Sequence, residues 1–242
     1  KQLQYFIAHA KERGQRAKDL SLGDDFQAKM AQLYAAYDEQ CQREGVVDFA
    51  ELLLRSYELL KHSEPIRTHY QERFRHILID EFQDTNALQY AWLKLLSGHD
   101  ASRVNVSGMG SSSVFAVGDD DQSIYRFQGA NVENMADFAN TYSESLFTVV
   151  LQYNYRSTQP ILDASKALID NNEERLVKKL EGLTKELITG NEKLKALTQT
   201  PFLREYESPR MEMIGIVHQV RQWLAQGVPP GKIAIIYKEN KY

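Results

Sequence analysis

The spacing of hydrophobic positions changes along the chain and predicts three regions. In the first, up to about residue 75, apolar residues recur every three or four positions, as at Met30, Leu33, Tyr34, Tyr37 and Cys41. This interval places them on one face of a helix. Gly45 is suited to end that helix, and Asp48 with Glu51 three residues later is suited to begin the next one. We therefore predict that the first region is helical.

Short apolar runs dominate the second region. Residues 76–79, 114–117 and 146–151 are mostly apolar, and runs of this length bounded by turn-forming residues predict buried strands. A helix is predicted after the first run, capped by Thr85 and closed by Gly98. Because strands and helices alternate, the pattern favours an α/β fold with a parallel sheet.

The third region continues the α/β pattern. Residues 202–206 and 233–237 are predicted strands. A helix is predicted from Pro209 to Gly227, with four apolar positions facing inward: Ile214, Val217, Val220 and Leu224. The Lys- and Glu-rich stretch 173–195 is predicted to be a solvated excursion of helix and loop.

Two of the predicted strands end in acidic segments. Asp80 and Glu81 follow the first strand, and the sequence GDDDQ at 118–122 follows the second. Ligands of open α/β sheets bind at the carboxyl ends of the strands, where these side chains would meet. Carboxylate oxygens suit a phosphate-bound Mg²⁺, because it is a hard cation. Taken alone, the acids could equally be helix caps or surface residues.

Three segments in order carry a family resemblance: DEFQD at 80–84, GDDDQSIY at 118–125 and QYNYRST at 152–158. They resemble consecutive motifs of UvrD/Rep/PcrA-type superfamily 1 DNA helicases. The resemblance implies RecA-like (P-loop NTPase type) parallel sheets with flanking helices plus an all-helical subdomain. It also implies three divisions of the chain. They are part of an inserted helical subdomain (1–75), the C-terminal part of a first RecA-like motor domain (76–150) and the N-terminal part of a second (151–242).

The resemblance also implies an ATP site with Mg²⁺. Asp80 is then the acid on the metal side, and its neighbour Glu81 is the catalytic base and a second metal-side carboxylate. Gln122 senses the γ-phosphate, Arg156 is an arginine finger, and Tyr155 lies against the adenine. Without the family, Gln122 reads as a solvent-facing loop residue and Arg156 as a helix-capping or paired arginine.

A DNA-binding segment follows the sensor. The resemblance places Tyr125, Phe127 and Gln128 on the path of single-stranded DNA, where aromatic faces stack on bases. Many relatives have Gly-Trp-Arg where this chain has Arg126, Phe127 and Gln128, so the usual positive charge is lost at 128. The expected partners are single-stranded DNA and junctions of single- and double-stranded DNA. Without the family, the aromatics could be core residues.

Composition narrows the function classes. The chain has 242 residues, is 43% hydrophobic and carries a net charge of −4, which argues against a broad basic surface gripping duplex DNA. Single strands can still be held by stacking. There is one cysteine and no apolar stretch near 18 residues, so we expect a cytosolic protein without a membrane span. Residues 97–113, rich in Ser and Gly, predict a flexible loop.

The chain lacks a phosphate-binding P-loop sequence, G-x-x-x-x-G-K-[ST]. It also begins at Lys1 inside a helical pattern. We therefore expect an excised piece of a larger ATP-dependent 3′–5′ DNA helicase, with half of the ATP site and negligible ATPase activity by itself. Two alternatives remain at this stage: a helicase-like DNA-binding scaffold subunit without ATPase activity, and a two-metal nuclease.

Overall fold

The described residues form an α/β fold with four short strands and many helices. The computed structural model describes residues 1–21, 23–99, 112–125, 129–180 and 182–237. Within these residues the helices are α1 (Gln2–Glu12), α2 (Asp25–Glu44), α3 (Phe49–His62), α4 (Glu64–Arg73), α5 (Ala87–Ser97), α6 (Glu133–Thr141), α7 (Gln159–Ile169), α8 (Leu176–Lys179), α9 (Glu192–Lys195) and α10 (Pro209–Ala225). The strands are β1 (His76–Ile79), β2 (Ser113–Ala116), β3 (Tyr153–Asn154) and β4 (Ile188–Thr189).

The contacts divide the chain into two compact units. The first consists of Lys1–Gln152 together with Ala167–Leu187. The second consists of Tyr153–Lys166 together with Ile188–Tyr242. The last residues of α7 and the stretch after it are thus part of the first unit.

The helices that open the first unit begin and end at the predicted signals. Gly45 adopts a left-handed conformation with φ 68° and ends α2. The Asp48 side chain accepts a hydrogen bond from the Glu51 backbone N–H and caps α3. Tyr34 is fully buried and packs with Ile7 and Ala10 of α1. The predicted helical character of this region is confirmed.

The first sheet pairs β1 with β2 in parallel, in the register His76 with Ser113 through Ile79 with Ala116. Ile77 joins a core cluster with residues of α3 and α5: Leu60, Leu95 and Leu96. The expectation that both strands are buried on each face is wrong. Leu78 is 77% exposed and Phe115 is 62% exposed, because the helices of the described chain cover one face of the sheet.

Two other predictions for the first unit need correction. Residues 146–151 form no strand, since no described segment pairs with their backbone groups. The cap of α5 is Asn86, not Thr85, although Gly98 ends the helix as predicted. The Thr85 hydroxyl instead donates to the Phe82 carbonyl oxygen. Most of the predicted loop 97–113 lies outside the described residues.

The second unit contains the parallel pair β3–β4, followed by α9 and α10. The predicted strands at 202–206 and 233–237 are absent, again because no described strand lies beside them. Helix α10 forms, but its predicted inward face is open. Ile214, Val217 and Leu224 are between 42% and 55% exposed.

None of the helices in the described parts of the chain combines the length and apolar character that crossing a membrane requires.

Candidate functional site

The acidic segments after β1 and β2 leave the sheet at the same edge. Backbone pairing continues past the strands, since the Val117 N–H donates to the Ile79 carbonyl at 2.8 Å and the Phe82 N–H donates to the Val117 carbonyl at 2.9 Å. The two segments are thereby held side by side. The convergence that the sequence predicts is confirmed for the first unit.

Asp80 and Glu81 are both exposed at this edge. Glu81 has φ 49°, and no other non-glycine residue in the described parts of the chain has a positive φ. A left-handed backbone costs a residue with a side chain about 1–2 kcal/mol. Its N–H donates to Oδ1 of Asp80 at 2.9 Å. Strain of this kind concentrates at functional sites, where surrounding contacts maintain it.

Gln83 links the two segments. It is buried, with 1% of its surface exposed. Its Nε2 donates to Oε2 of Glu81 at 2.7 Å, and its Oε1 accepts from the backbone N–H of Asp119 at 3.0 Å.

Gln122 lies in a single turn of 3-10 helix, Asp120–Gln122, just beyond β2. Its Nε2 donates to Oδ2 of Asp119 at 2.6 Å. The other carboxylate oxygen of Asp119 accepts from the Asp121 N–H and begins the turn. Gln122 is exposed, so its amide is accessible to a ligand.

Two cations, Lys185 and Arg175, pair with the three consecutive aspartates. Lys185 Nζ lies 3.0 Å from Asp120 Oδ1 and 2.9 Å from Asp121 Oδ2, and it also contacts Asp119. Arg175 forms a two-pronged pair with Asp121 at 2.8 and 2.9 Å. Burial by itself would raise the pKa of Asp121, but Arg175 and Lys185 outweigh it and hold that pKa below its ordinary value.

The aspartate oxygens are close enough together to hold a metal ion. The Lys185 ammonium group already lies among them, so the cluster is satisfied without a metal. The interpretation of 173–195 as a solvated excursion is therefore wrong for this part. Arg175 and Leu176 are 4% and 5% exposed because they pack against the acidic turn.

Tyr125 lines a cleft of about 680 Å³ in the first unit. The other lining residues belong to α1 and to the segment that leads into α5: Tyr5, Ala8, His9, Glu12, Asp84, Asn86 and Gln89. Tyr5 and His9 stack with their ring centroids 5.7 Å apart. Phe127 and Gln128, the other predicted DNA-binding residues, lie outside the described residues, as does Arg126.

Tyr155 and Arg156 lie in the second unit, at the carboxyl end of β3. The Asn154 side chain accepts from the N–H groups of Arg156 at 3.0 Å and Ser157 at 2.8 Å, which fixes the turn. Both predicted site residues are exposed, Tyr155 at 68%. No acidic side chain among the described residues pairs with the Arg156 guanidinium. The structure thus brings together Asp80, Glu81 and Gln122 in one unit, and Tyr155 with Arg156 in the other.

The sequence of residues 1–143 matches the family description UvrD/REP helicase N-terminal domain. The chain belongs to the UvrD/REP helicase family. Residues 149–242 match the UvrD-like helicase C-terminal domain.

Curated relatives of this family match nearly the whole chain. DNA helicase II of Escherichia coli strain K12 and DNA helicase II of Salmonella typhimurium are each 40% identical over 243 residues, which covers 99% of this chain. The ATP-dependent DNA helicase PcrA of Leuconostoc citreum is 38% identical over 72% of the chain. The chain spans about 30% of the length of the first two relatives.

The donor groups at the edge of the first sheet fit a hard cation with a phosphate ligand. Asp80 is an exposed carboxylate whose Oδ2 accepts no hydrogen bond from the described residues. Glu81 lies beside it with Oε2 engaged by Gln83. Oxygen donors of this kind are those that Mg²⁺ uses when it is also bound to nucleotide phosphates.

Sequence reasoning missed three residues of the site. Gln83 appears in the sequence only as part of the DEFQD motif, and its neighbours do not predict that its amide is buried. Arg175 and Lys185 lie in a stretch whose composition predicts solvent exposure. The available signal was charge balance, since three adjacent aspartates require nearby cations when they are partly buried.

Proposed function

We propose that this chain is the central part of an ATP-dependent 3′–5′ DNA helicase that couples ATP hydrolysis to movement on single-stranded DNA and to unwinding of the duplex. The observation that carries the proposal is the hydrogen-bonded series Glu81–Gln83–Asp119–Gln122 at the edge of a parallel sheet. It joins a candidate base to a candidate phosphate sensor. Family membership and the printed names of the relatives support the proposal.

The proposed architecture is that of RecA-like motor domains. Residues 76–150 belong to the first motor domain and residues 151–242 to the second, with residues 1–75 in an inserted helical subdomain. Within the proposed second domain, Ala167–Leu187 packs with the first compact unit. Parallel strand pairs with acidic and polar residues at their carboxyl ends support this assignment.

The chemistry assigned to the first unit is hydrolysis of the γ-phosphate bond of ATP. Mg²⁺ bound beside Asp80, with Glu81 as a further metal-side carboxylate, would supply charge neutralisation of the phosphates. Glu81 accepts the proton of the attacking water. Gln122 donates its amide N–H to a γ-phosphate oxygen and so responds to the presence of that phosphate.

The second unit and the DNA-binding segment after Gln122 supply the remaining residues of the proposed ATP hydrolysis cycle. Arg156 stabilises the charge on the transferred phosphoryl group, a contribution of about 10³–10⁵ in rate for arginine fingers. Tyr155 stacks on the adenine. Tyr125, Phe127 and Gln128 contact single-stranded DNA near a junction with duplex. Because its relatives are bacterial DNA helicases, we assign the protein to the bacterial cytosol or nucleoid.

Replacement of the candidate base is the direct test. In the full-length protein that carries this segment, Glu81→Gln keeps the size and hydrogen-bonding capacity of the side chain but removes the proton acceptor. We expect kcat for ATP to fall by at least about 10²-fold, with the Kd for ATP unchanged. Single-turnover hydrolysis and binding of a fluorescent ATP analogue measure the two quantities.

Glu72→Gln, at an exposed position of α4, is the matched control and should retain wild-type kinetics. Loss of ATP binding in Glu81→Gln would contradict the role given to Glu81. A wild-type protein that binds DNA and hydrolyses no ATP would favour the scaffold alternative. Metal-dependent DNA cleavage without ATP would favour the nuclease, a reading that Lys185 among the aspartates already disfavours.

A further inference from the structure

Gln83 is a buried amide whose two ends contact different segments of the site. The backbone N–H of Asp119 can only donate, so the amide oxygen of Gln83 must face it at 3.0 Å. The amide NH₂ group must therefore face the Glu81 carboxylate, at 2.7 Å from Oε2. The orientation of the side chain is fixed by its partners.

The loop after β2 is built to approach this amide closely. A Cβ atom at position 118 would lie 2.9 Å from Oε1 of Gln83 and 3.3 Å from its backbone N. Gly118 avoids that clash and lets the next residue, Asp119, reach the amide oxygen. Asp119 in turn accepts from Gln122 through Oδ2.

Gln83 also contributes to the restraint on the unusual backbone of Glu81. Glu81 has a left-handed conformation, which a side-chain-bearing residue leaves unless its surroundings maintain it. The hydrogen bond from Gln83 Nε2 restrains the carboxylate, and the Asp84 N–H restrains the peptide by donating to the Glu81 carbonyl at 2.9 Å.

We propose that Gln83 is a positioning residue for the hydrolytic reaction. It occupies Oε2 of Glu81, leaves Oε1 to receive the proton of the attacking water, and couples Glu81 to the loop that carries Gln122. This inference rests on the role proposed above for Glu81.

The step itself balances without Gln83 exchanging a proton. The water oxygen bonds to the γ-phosphorus while its proton passes to Oε1 of Glu81. The bond between the γ-phosphorus and the bridging oxygen breaks, and its electron pair leaves with ADP. Gln83 keeps both of its amide protons and sets the direction in which Oε1 points.

Two substitutions of Gln83 in the full-length protein distinguish a positioning role from a contribution to the overall stability of the fold. Gln83→Met keeps the side-chain length and removes both hydrogen bonds. We expect kcat to fall about 10- to 100-fold, the range for small displacements of a reacting group, with a nearly constant Kd for ATP.

Gln83→Glu keeps an oxygen that can accept from the Asp119 N–H but removes the Nε2 donor to Oε2 of Glu81. We expect kcat of this variant to fall at least about 10-fold with a nearly constant Kd for ATP, because the Glu81 carboxylate loses the contact that orients it.

Gln71 provides matched controls, because its Nε2 donates to the Leu95 carbonyl at 2.7 Å within the same unit and away from the site. Gln71→Met and Gln71→Glu should keep the wild-type kcat. Wild-type kcat in Gln83→Met or in Gln83→Glu would overturn the inference.

Amide hydrogen exchange measured at the Asp119 N–H tests the hydrogen bond to Gln83 without a measurement of ATPase activity. Exchange should be at least about 10-fold faster in Gln83→Met than in wild type, because the acceptor of this N–H is gone. If the wild-type protein hydrolyses no ATP, the proposed function fails. In that case Gln83 has no hydrolytic reaction to position, and the inference fails with the proposed function. If ATP is hydrolysed, an unchanged Asp119 exchange rate in Gln83→Met overturns the inference while the proposed function stands.

Discussion

At the residue scale, Lys11 is a buried cation that three carboxylates stabilise. Its side chain is 1% exposed, and Nζ lies 3.1 Å from Asp38, 2.9 Å from Asp48 and 2.8 Å from Glu51. A buried ammonium group is tolerated only when carboxylates of this kind surround it. Lys11 thereby joins α1 to α2 and α3.

Lys11→Met should therefore destabilise the chain by about 3 kcal/mol, because Asp48 loses its cation and Asp38 and Glu51 keep only their arginine partners in a partly buried cluster. Urea unfolding followed by circular dichroism measures the change. Arg43→Met removes the exposed pair with Glu39, whose side chains are 65% and 73% exposed, and should cost less than about 1 kcal/mol. Equal effects of the two changes would contradict a special role for Lys11.

The ionisable groups around Lys11 predict how the destabilisation by Lys11→Met depends on pH. Burial by itself would raise the pKa of Glu51, but hydrogen bonds from Lys11, Arg55 and Arg16 outweigh it and lower that pKa. A lowered carboxyl pKa contributes stability above the unfolded value, about 4, which is lost as the pH falls through the folded pKa. The pKa of Lys11 is raised, so its contribution is complete below about pH 10.

The difference in unfolding free energy between wild type and Lys11→Met should therefore be constant from about pH 6 to pH 9 and shrink below about pH 4. Protonation weakens the wild-type pairs and relieves repulsion in the variant. A difference that grows as the pH falls would contradict this account.

At the element scale, α5 shows how one side chain defines a helix. Asn86 accepts from the Gln89 N–H at 2.8 Å, and the Gln89 side chain accepts from the Asn86 N–H at 2.8 Å. This reciprocal pair satisfies two donors that the start of a helix leaves open. The helix then packs Leu95 and Leu96 against Ile77 of β1. The position of β1 thus depends on where α5 begins.

Asn86→Ala should lower the free energy of unfolding by about 1 kcal/mol, the usual cost of losing such a cap. Thr85→Ser, the control, keeps the hydroxyl that donates to the Phe82 carbonyl and should change stability much less. Thermal unfolding of both variants gives the comparison. A larger loss in Thr85→Ser would indicate that Thr85 governs the start of α5 after all.

At the scale of the whole molecule, the first unit is assembled from two stretches of sequence. Arg175 and Lys185 belong to Ala167–Leu187 and bind the aspartates that follow β2, and the Leu176 N–H donates to Asp120 at 2.7 Å. These polar contacts hold the later stretch on the acidic turn. The turn that carries Gln122 is consequently shaped by residues more than fifty positions away in sequence.

Lys185→Met should loosen this stretch without unfolding the unit. We expect faster amide hydrogen exchange in Leu176–Lys179, with unchanged exchange in Gln159–Lys166 of the second unit. Lys193→Met, at an exposed position of α9, is the matched control. Unchanged exchange in α8 would show that Lys185 is not needed to hold the segment.

The sequence by itself determined the local elements and the kinds of chemistry that this protein carries. Helix caps such as Asp48 and terminators such as Gly45 and Gly98 act through neighbouring backbone groups. The residues at which a helix begins and ends can therefore be predicted from a short segment of sequence. The three motifs likewise identified the family. The roles given to Glu81, Gln122 and Arg156 stay predictions.

Only the tertiary structure decided which of the apolar runs become strands and how the acidic residues are neutralised. A strand needs a neighbour for its backbone groups, and residues 146–151 have none among the described residues. Gln83 and Lys185 obtain their roles from partners that lie 36 and 66 positions away in sequence. Such contacts depend on folded proximity, which composition and local spacing do not encode.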